Sequence, residues 1–245
     1  MRLQPRWWIG VAVFLAYAVW IVAVWKFFDV DYASIGQEAS LLRAVVLPLG
    51  IAAIALALFN WRAGWWPQTI REPRLHQPLY LAVLLFAMLG FIGINLYATG
   101  WASISPRHIL VLAGAMLLVG FCEEMVTRGV LLVALRGSLR SEAWVWFAST
   151  GLFGLLHATN AFFGLGAFAL VQVLLAFCAG TGLYLVRRLT GSIWPAMLLH
   201  ALWDFSSIAH GLGQAPSSPS SWMFLVSIYG VSLVLVFLVL RRARA

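Results

Sequence analysis

Long apolar runs separated by short basic connections constrain this chain more than any other feature. A helix that crosses a bilayer needs about 20 mostly apolar residues. Hydrophobic residues make up 63% of the sequence and charged residues only 10%, whereas a soluble domain carries about a quarter charged residues. We therefore predict an all-α, polytopic membrane protein with eight transmembrane helices, at 7–25, 41–61, 79–100, 109–135, 143–162, 164–186, 192–211 and 222–240.

The eight segments are interpreted as a single membrane domain over 1–245, without an internal repeat. Residues 1–108 supply transmembrane helices that carry no chemical motif. All candidate motifs fall within 109–211, and 222–240 is the last helix. The Gly-, Pro- and Ser-rich segment 211–221 predicts a loop. Acidic residues of the first part are expected in connections or at helix ends, namely Asp29, Asp31, Glu38 and Glu72.

Basic residues alternate between the two ends of the predicted helices. Twelve lie at the termini and in the even-numbered connections, and three lie on the opposite side. By the positive-inside rule, both termini face the cytoplasm. Because the basic residues are spread over several short pieces, membrane lipid is an expected partner and nucleic acid is not. The twelve are Arg2, Arg6, Arg62, Arg71, Arg74, Arg136, Arg140, Arg187, Arg188, Arg241, Arg242 and Arg244, and the three are Lys26, Arg43 and Arg107.

Three ionisable residues interrupt the fourth predicted helix, in the sequence GFCEEMVTRGVLL. An ionised side chain near mid-bilayer costs roughly 2.5–3.5 kcal/mol on insertion scales, so such residues indicate function. Glu124 and Arg128 are four residues apart and share a helical face, where they can neutralise each other. Glu123 is turned about 100° from Glu124 and has no partner on its own helix. The alternative is a structural ion pair beside a protonated carboxyl group.

Two later helices carry histidines among apolar residues. Phe153 and His157 are four residues apart in the fifth helix, as are His200 and Asp204 in the seventh. Taken alone, either histidine could be a hydrogen-bonded structural residue. At 1.5 Å per residue, however, Glu123, His157 and His200 all lie roughly 18–22 Å from the cytoplasmic ends of their helices. Asp204 lies roughly 24 Å deep by the same count, so we expect one polar layer within the membrane.

A carboxyl group and two imidazoles in one layer suit the hydrolysis of a peptide bond. A glutamate can take a proton from water and later return it, and a histidine can donate to a developing oxyanion. Alternatively, a divalent metal such as zinc could activate the water. The HExxH spacing of soluble zinc proteases is absent. If a metal is required, its expected ligands are Glu123, His157, His200 and Asp204.

The same residues resemble the motifs of the CPBP intramembrane proteases, a family that includes the CAAX prenyl endopeptidases and many bacterial "Abi" proteins. Its motifs are EExxxR, FxxxH and HxxxN or HxxxD. Each is weak alone, but all three occur here in order, each within a predicted transmembrane helix, and the resemblance covers about 109–211. They read Glu123-Glu124-Met-Val-Thr-Arg128, Phe153-Gly-Leu-Leu-His157 and His200-Ala-Leu-Trp-Asp204.

The resemblance implies a role for each matched residue. Glu123 would be the general base that activates water, with His157 beside it, and His200 and Asp204 would polarise the scissile carbonyl. An Asp at 204 donates a hydrogen bond only when it is protonated, unlike the Asn of other members. The family is described both as metalloproteases and as metal-independent glutamate-type proteases; we favour the second, without a cofactor, because no zinc-motif spacing is present. Supporting positions would be Glu124, Arg128 and Phe153.

The leading hypothesis is an intramembrane endopeptidase that cuts a membrane-associated peptide or a protein's C-terminal tail. A proton-coupled transporter is one rival, since intramembrane Glu, His and Asp also form proton relays. Against it, the sequence has no internal repeat and no paired broken helices. A non-catalytic scaffold or regulator of the same fold is the other rival. The sequence identifies no substrate, and its compact size without organelle signals favours a prokaryotic plasma membrane over the endoplasmic reticulum.

Overall fold

The computed structural model describes residues 3–213 and 219–242, which are helical apart from turns, short connections and one isolated bridge. Of the predicted loop 211–221, residues 214–218 lie outside the described residues, whereas 211–212 and 219–221 are helical, so the loop is shorter than predicted. The α-helices are α1 (Trp7–Phe27), α2 (Glu38–Ser40), α3 (Leu47–Ala63), α4 (Trp66–Ile70), α5 (Pro78–Ala98), α6 (Pro106–Glu124), α7 (Leu132–Arg136), α8 (Glu142–Leu156), α9 (Phe168–Thr190), α10 (Trp194–Leu212) and α11 (Pro219–Arg242).

The all-α, multi-pass architecture predicted from the apolar runs is confirmed. Within the described residues, six helices are long and apolar enough to cross a bilayer: Trp7–Phe27, Glu38–Ala63, Pro78–Ala98, Pro106–Arg136, Phe168–Thr190 and Pro219–Arg241. The other two predicted crossings correspond to α8 and α10. Helix α8 has only 15 residues, because the chain tightens into a 3₁₀ segment at His157–Phe163. Helix α10 has 19 residues and carries several polar side chains.

Glu123 and Glu124 lie on one long helix that has a wider turn in its middle. Ser105 starts it, since its hydroxyl oxygen accepts a hydrogen bond of 3.2 Å from the His108 N–H, and Pro106 follows at the first helical position. Helix α6 then continues through a π turn at Met125–Leu131 into α7. Such single-turn π segments are frequent at functional sites. Here the π turn directly follows Glu123 and Glu124.

Helix α10 packs closely against α6 because Gly120 has no side chain. A Cβ at Gly120 would overlap the carbonyl oxygen of Met197 and would lie 3.0 Å from the Ala201 Cβ. Small residues allow helix backbones to approach in this way within lipid. His200 lies between Met197 and Ala201 on α10. The close approach therefore brings it next to the end of α6.

Charged residues are concentrated at the end of the bundle where α1 begins and α9 ends. The connection after α4 is fixed there, because the Glu72 N–H donates to the Gly191 carbonyl at 3.1 Å and the Leu75 N–H donates to the Arg188 carbonyl at 3.0 Å. The Glu72 side chain lies at the centre of five charged residues that we call the Glu72 cluster: Glu72, Arg136, Glu142, Arg187 and Arg188.

Candidate active site

The centre of the site is a buried triad of charges from α6, the π turn and α10. Glu124 Oε1 accepts a hydrogen bond of 2.9 Å from Arg128 Nη1, as their four-residue spacing predicts. The same oxygen lies 3.0 Å from His200 Nδ1. A carboxylate paired with an arginine only accepts hydrogen bonds, so the proton of this contact is assigned to Nδ1. Glu124 therefore fixes the orientation of the His200 ring.

The opposite edge of the His200 ring faces the other two acidic residues. His200 Nε2 is 3.4 Å from Asp204 Oδ2 and 4.0 Å from Glu123 Oε2. With carboxylates facing both nitrogens, the doubly protonated ring is favoured. Glu123 Oε2 is buried and accepts no hydrogen bond from the described residues. That oxygen therefore has capacity for a hydrogen bond from water or substrate.

His157 reaches the same space from the end of α8. Its Nδ1 is 3.0 Å from the Phe153 carbonyl oxygen. Because a carbonyl oxygen only accepts, Nδ1 carries the proton and Nε2 of the neutral ring is an acceptor. The 3₁₀ segment begins at His157 itself, so the side chain lies where the helix tightens. His157 is thus oriented by its own helix, whereas His200 is oriented by a neighbouring one.

Phe153 fills the space between the charged residues and both histidines. The Arg128 guanidinium carbon lies 3.9 Å from the centre of the Phe153 ring, close enough for a cation–π interaction. The same ring meets the His157 and His200 rings edge-on, at centroid distances of 5.1 Å and 5.7 Å. Gly180 of α9 lies against this group, and a Cβ there would come within 2.7 Å of Phe153 Cδ1. Phe153 is therefore a packing residue for the three motifs.

The Glu72 cluster is bonded to the π turn through Arg187. Arg187 is fully buried, donates to the backbone carbonyl of Arg128, and donates to the Gln68 carbonyl at 2.8 Å. Its Nε donates to Glu72 Oε2 at 2.8 Å. Burial alone would raise the pKa of the Glu72 carboxyl group, but the three guanidinium groups around it outweigh burial and lower that pKa from 4.5 to about 2. Glu72 is therefore ionised across the physiological range.

Two cavities meet at the polar layer. The larger, of about 370 Å³, is lined by Glu123 and also by residues of α1, the first connection and α10. The smaller, of about 210 Å³, is lined by His200 and by mostly apolar residues of α5, α9 and α11. Both linings include His157, Gln172, Trp203 and Asp204. The predicted residues Glu123, His157, His200 and Asp204 thus border cavity space beside the polar layer.

Motif analysis missed three polar residues beside this layer. Gln172 Nε2 donates to the Tyr32 hydroxyl at 2.6 Å, and Asn160 Nδ2 donates to Gln172 Oε1 at 2.8 Å. Asn160 and Gln172 stand in apolar surroundings in the sequence, which is a signal that could have found them. Tyr32 lies in a connection 140 residues from Gln172, and spacing could not have found it.

The metal ligands expected in the alternative mechanism, Glu123, His157, His200 and Asp204, all lie in or beside this polar layer. Within residues 3–213 and 219–242, no group of three or more His, Cys, Asp and Glu side chains has the geometry of a metal site. The Nδ1 atoms of His157 and His200 are bonded to the Phe153 carbonyl and the Glu124 carboxylate, so Nε2 is the nitrogen that each ring can offer to water, substrate or a metal.

A comparison with known families agrees with the motifs. Residues 105–206 match the family model described as "Type II CAAX prenyl endopeptidase Rce1-like". No curated protein and no solved structure matches the chain. The matched segment contains every predicted site residue, from Glu123 to Asp204. The segment 105–206 is therefore similar to the Rce1-like family of CAAX prenyl endopeptidases, and the resemblance predicted from the three motifs is confirmed.

Proposed function

We propose that this protein is a glutamate-type intramembrane endopeptidase that hydrolyses a peptide bond in a membrane-associated peptide or protein tail. The observation that carries the proposal is the position of Glu123, whose unpaired Oε2 lies 4.0 Å from His200 Nε2 at the wall of the larger cavity. A free carboxylate beside a cationic imidazole provides a base for water and a donor for an oxyanion.

The proposed reaction begins with water held between Glu123 and His157. Glu123 takes one proton of the water, and the His157 Nε2 acceptor orients the other. The hydroxide oxygen bonds to the scissile carbonyl carbon, and its carbonyl oxygen becomes an oxyanion that receives a hydrogen bond from His200 Nε2–H. Glu123 then returns its proton to the amide nitrogen as the C–N bond breaks. The products are a carboxylic acid and an amine.

The remaining motif residues position these groups. Glu124 holds His200 through Nδ1 and is itself neutralised by Arg128. Asp204, 3.4 Å from His200 Nε2, stabilises the protonated ring when it is ionised. A protonated Asp204 would instead donate to the oxyanion, as an Asn would. Phe153 keeps the two imidazoles and the guanidinium apart.

We also propose that α8 and α10 cross the membrane, giving eight crossings with both termini in the cytoplasm. Helix α8 begins at Glu142, which is bonded to Arg136 of α7, and α10 begins next to the end of α9. Both therefore start at the Glu72 cluster and run towards the other end of the bundle. The 19 residues of α10 span about 28 Å. A prokaryotic plasma membrane is the proposed location.

The proposal is tested with detergent-solubilised protein and a pool of quenched fluorogenic nonapeptides, with the cleaved bonds identified by mass spectrometry. We expect the wild-type chain to cleave internal bonds. Glu123→Gln and His200→Ala should each abolish cleavage while the protein remains folded. Glu38→Gln is the matched control, because Glu38 pairs with the exposed Arg107 away from the cavities.

Three outcomes would count against the proposal. If the Glu123→Gln variant cleaves at the wild-type rate, Glu123 is not the general base. An uncleaved pool, together with unchanged protein processing in cells that lack the gene, would favour a scaffold. Altered uptake of a solute without a processing defect would favour a transporter.

A further inference from the structure

A chain of polar side chains extends from the catalytic layer along the wall of the larger cavity. Asn160 donates to Gln172, and Gln172 donates to Tyr32, at 2.8 Å and 2.6 Å. All three line the larger cavity, and Gln172 also lines the smaller one. The mechanism above uses none of them, so their place beside the reacting groups needs another explanation.

The Gln172 amide retains hydrogen-bonding capacity after both of these contacts. A glutamine has two N–H donors and a carbonyl oxygen with two lone pairs. Tyr32 takes one donor and Asn160 uses one lone pair. One N–H and one lone pair remain on a side chain that both cavities share. A peptide unit, which presents one C=O and one N–H, is complementary to that pair.

Tyr32 adds a further donor. Burial, as well as Asp204 and Glu123, raises the pKa of the Tyr32 hydroxyl, while the bond from Gln172 lowers it, and the net shift is upward. The phenol is therefore neutral at physiological pH and keeps its O–H. Because its oxygen already accepts from Gln172, the O–H is oriented before any ligand binds, which reduces the entropic cost of binding.

The charge of the cavities limits what they accept. Neither lining contains a lysine or an arginine among the described residues, whereas Glu123 and Asp204 both face the cavities. The His200 ring on the wall of the smaller cavity already faces the carboxylates of Glu124 and Asp204, so a free carboxylate close to the reacting bond would gain no unpaired counter-charge and would be repelled by Glu123. The smaller cavity offers apolar walls from Met88, Leu175 and Leu183. An uncharged stretch of chain with apolar side chains suits both spaces.

We infer that Gln172 and Tyr32 form a substrate subsite that binds the extended backbone of an internal, uncharged peptide segment directly beside the scissile bond. The inference rests on the proposed function and names the substrate class: a peptide cut within its length, not next to a free terminal carboxylate. Gln172 pairs with one peptide unit through its C=O and N–H, and Tyr32 donates to a neighbouring carbonyl.

A backbone-methylation scan of one cleaved nonapeptide from the pool tests the subsite. Replacing each peptide N–H in turn by N–CH₃ removes one donor. At one position, we expect KM of the wild-type protein to rise about three- to tenfold, the effect of one lost hydrogen bond. Gln172→Leu should raise KM to a similar degree for the unmethylated peptide with kcat little changed, and methylation at that position should then add nothing.

Tyr32→Phe removes only the hydroxyl group and should also raise KM. The matched controls are Gln37→Leu and Tyr97→Phe, since both residues are exposed and line neither cavity. A peptide whose free carboxylate lies within two residues of the cut bond should be cleaved at least about tenfold less efficiently than its amidated form, by loss of a favourable electrostatic environment. Equal KM values for wild type, Gln172→Leu and Tyr32→Phe would overturn the subsite.

A binding readout separates failure of the subsite from failure of the proposed chemistry. A photo-crosslinking residue at Thr159, which lines the larger cavity, is placed in the Glu123→Gln protein. Crosslinking to the same nonapeptide should be reduced by Gln172→Leu and by the critical N-methyl group. This result is expected whether or not Glu123 is the base. Crosslinking that is indifferent to both changes would overturn the inference even if cleavage is confirmed.

Discussion

His200 and Glu124 are joined by a buried contact of 3.0 Å between Nδ1 and Oε1, although 76 residues separate them in the sequence. We expect Glu124→Gln to lower kcat by about 10²–10⁴-fold, because a neutral amide does not stabilise the charged ring and can turn its NH₂ group towards Nδ1, which selects the wrong tautomer. Steady-state cleavage of the peptide pool checks this.

The Glu124 variant also leaves Arg128 buried without its counter-ion, which destabilises proteins by about 3–5 kcal/mol. Glu124→Gln combined with Arg128→Met removes both charges and should recover thermal stability without recovering activity. A double variant that is both stable and fully active would show that Glu124 has only a structural role.

Asp204 has a different relation to His200, since its carboxylate is partly exposed and 3.4 Å from Nε2. We expect Asp204→Asn to retain activity within about tenfold, because an amide N–H can still stabilise the oxyanion. Asp204→Ala should lose about 10²-fold or more, the cost of losing one such donor. Initial rates at several pH values provide the measurement, with Asp29→Asn as the control. Inactive Asp204→Asn would mean that the negative charge itself is required.

Gly180 should be intolerant of even a methyl group. A Cβ there would come within 2.7 Å of Phe153 and closer still to the Arg128 guanidinium, both buried. We expect Gly180→Ala to destabilise the protein by about 1–3 kcal/mol, as overpacking typically does, and to reduce activity. Gly151→Ala is the matched control, because nothing lies within 4 Å of its Cβ position. Thermal unfolding in detergent compares the two, and equal melting temperatures would contradict the prediction.

Glu72 makes the free energy of unfolding depend on pH in the acid range. Its pKa is lowered from 4.5 to about 2 in the folded chain, so its ionised form stabilises the fold above pH 4.5. The stabilisation, about 3 kcal/mol from that shift, is lost as the pH falls from 4.5 towards 2. Glu72→Gln should therefore unfold more easily than wild type at neutral pH, and the difference should shrink over that interval. A difference that is constant down to pH 2 would be inconsistent with this prediction.

Metal removal should leave the activity unchanged. The described residues contain no preformed group of three or more metal-ligating side chains, and we expect dialysis against a chelator to have no effect on the rate of peptide cleavage. Elemental analysis of the purified protein should find substoichiometric zinc. Loss of cleavage that added zinc restores would replace the glutamate-type mechanism with a metal-assisted one.

Hydropathy predicted where the helices are, but it could not predict how they end. The prediction of a span at 143–162 missed that α8 stops at Leu156, where the chain narrows into a 3₁₀ segment. Apolar length alone does not distinguish a regular helix from a tightened one. The prediction of 164–186 likewise begins and ends about one turn before α9, at Phe168–Thr190.

The site was predictable to the level of residue spacing and depth. Four-residue spacing predicted the Glu124–Arg128 pair, and the depth estimate predicted that Glu123 and His200 would meet. The contact of Glu124 with His200 depends on how α10 packs at Gly120, which no spacing within one helix contains. The roles proposed for these residues stay predictions until variants are measured.

The contacts of Glu72 were even less predictable from local sequence. The sequence placed it in a polar connection, where a carboxylate is ordinarily solvated. In the folded chain it is buried among arginines that follow it by 64 to 116 residues. A contact between residues so distant in sequence is fixed by tertiary packing rather than by local pattern.

The Arg187 bridge to the Arg128 carbonyl also sets an order for biogenesis. Glu72 leaves the ribosome long before Arg187, so a nascent chain that ends at the π turn has the two acids of α6 but not the bond that ties this turn to α9. That tie forms only once α9 has been synthesised. The candidate site is therefore completed late, after most of the transmembrane segments have left the ribosome.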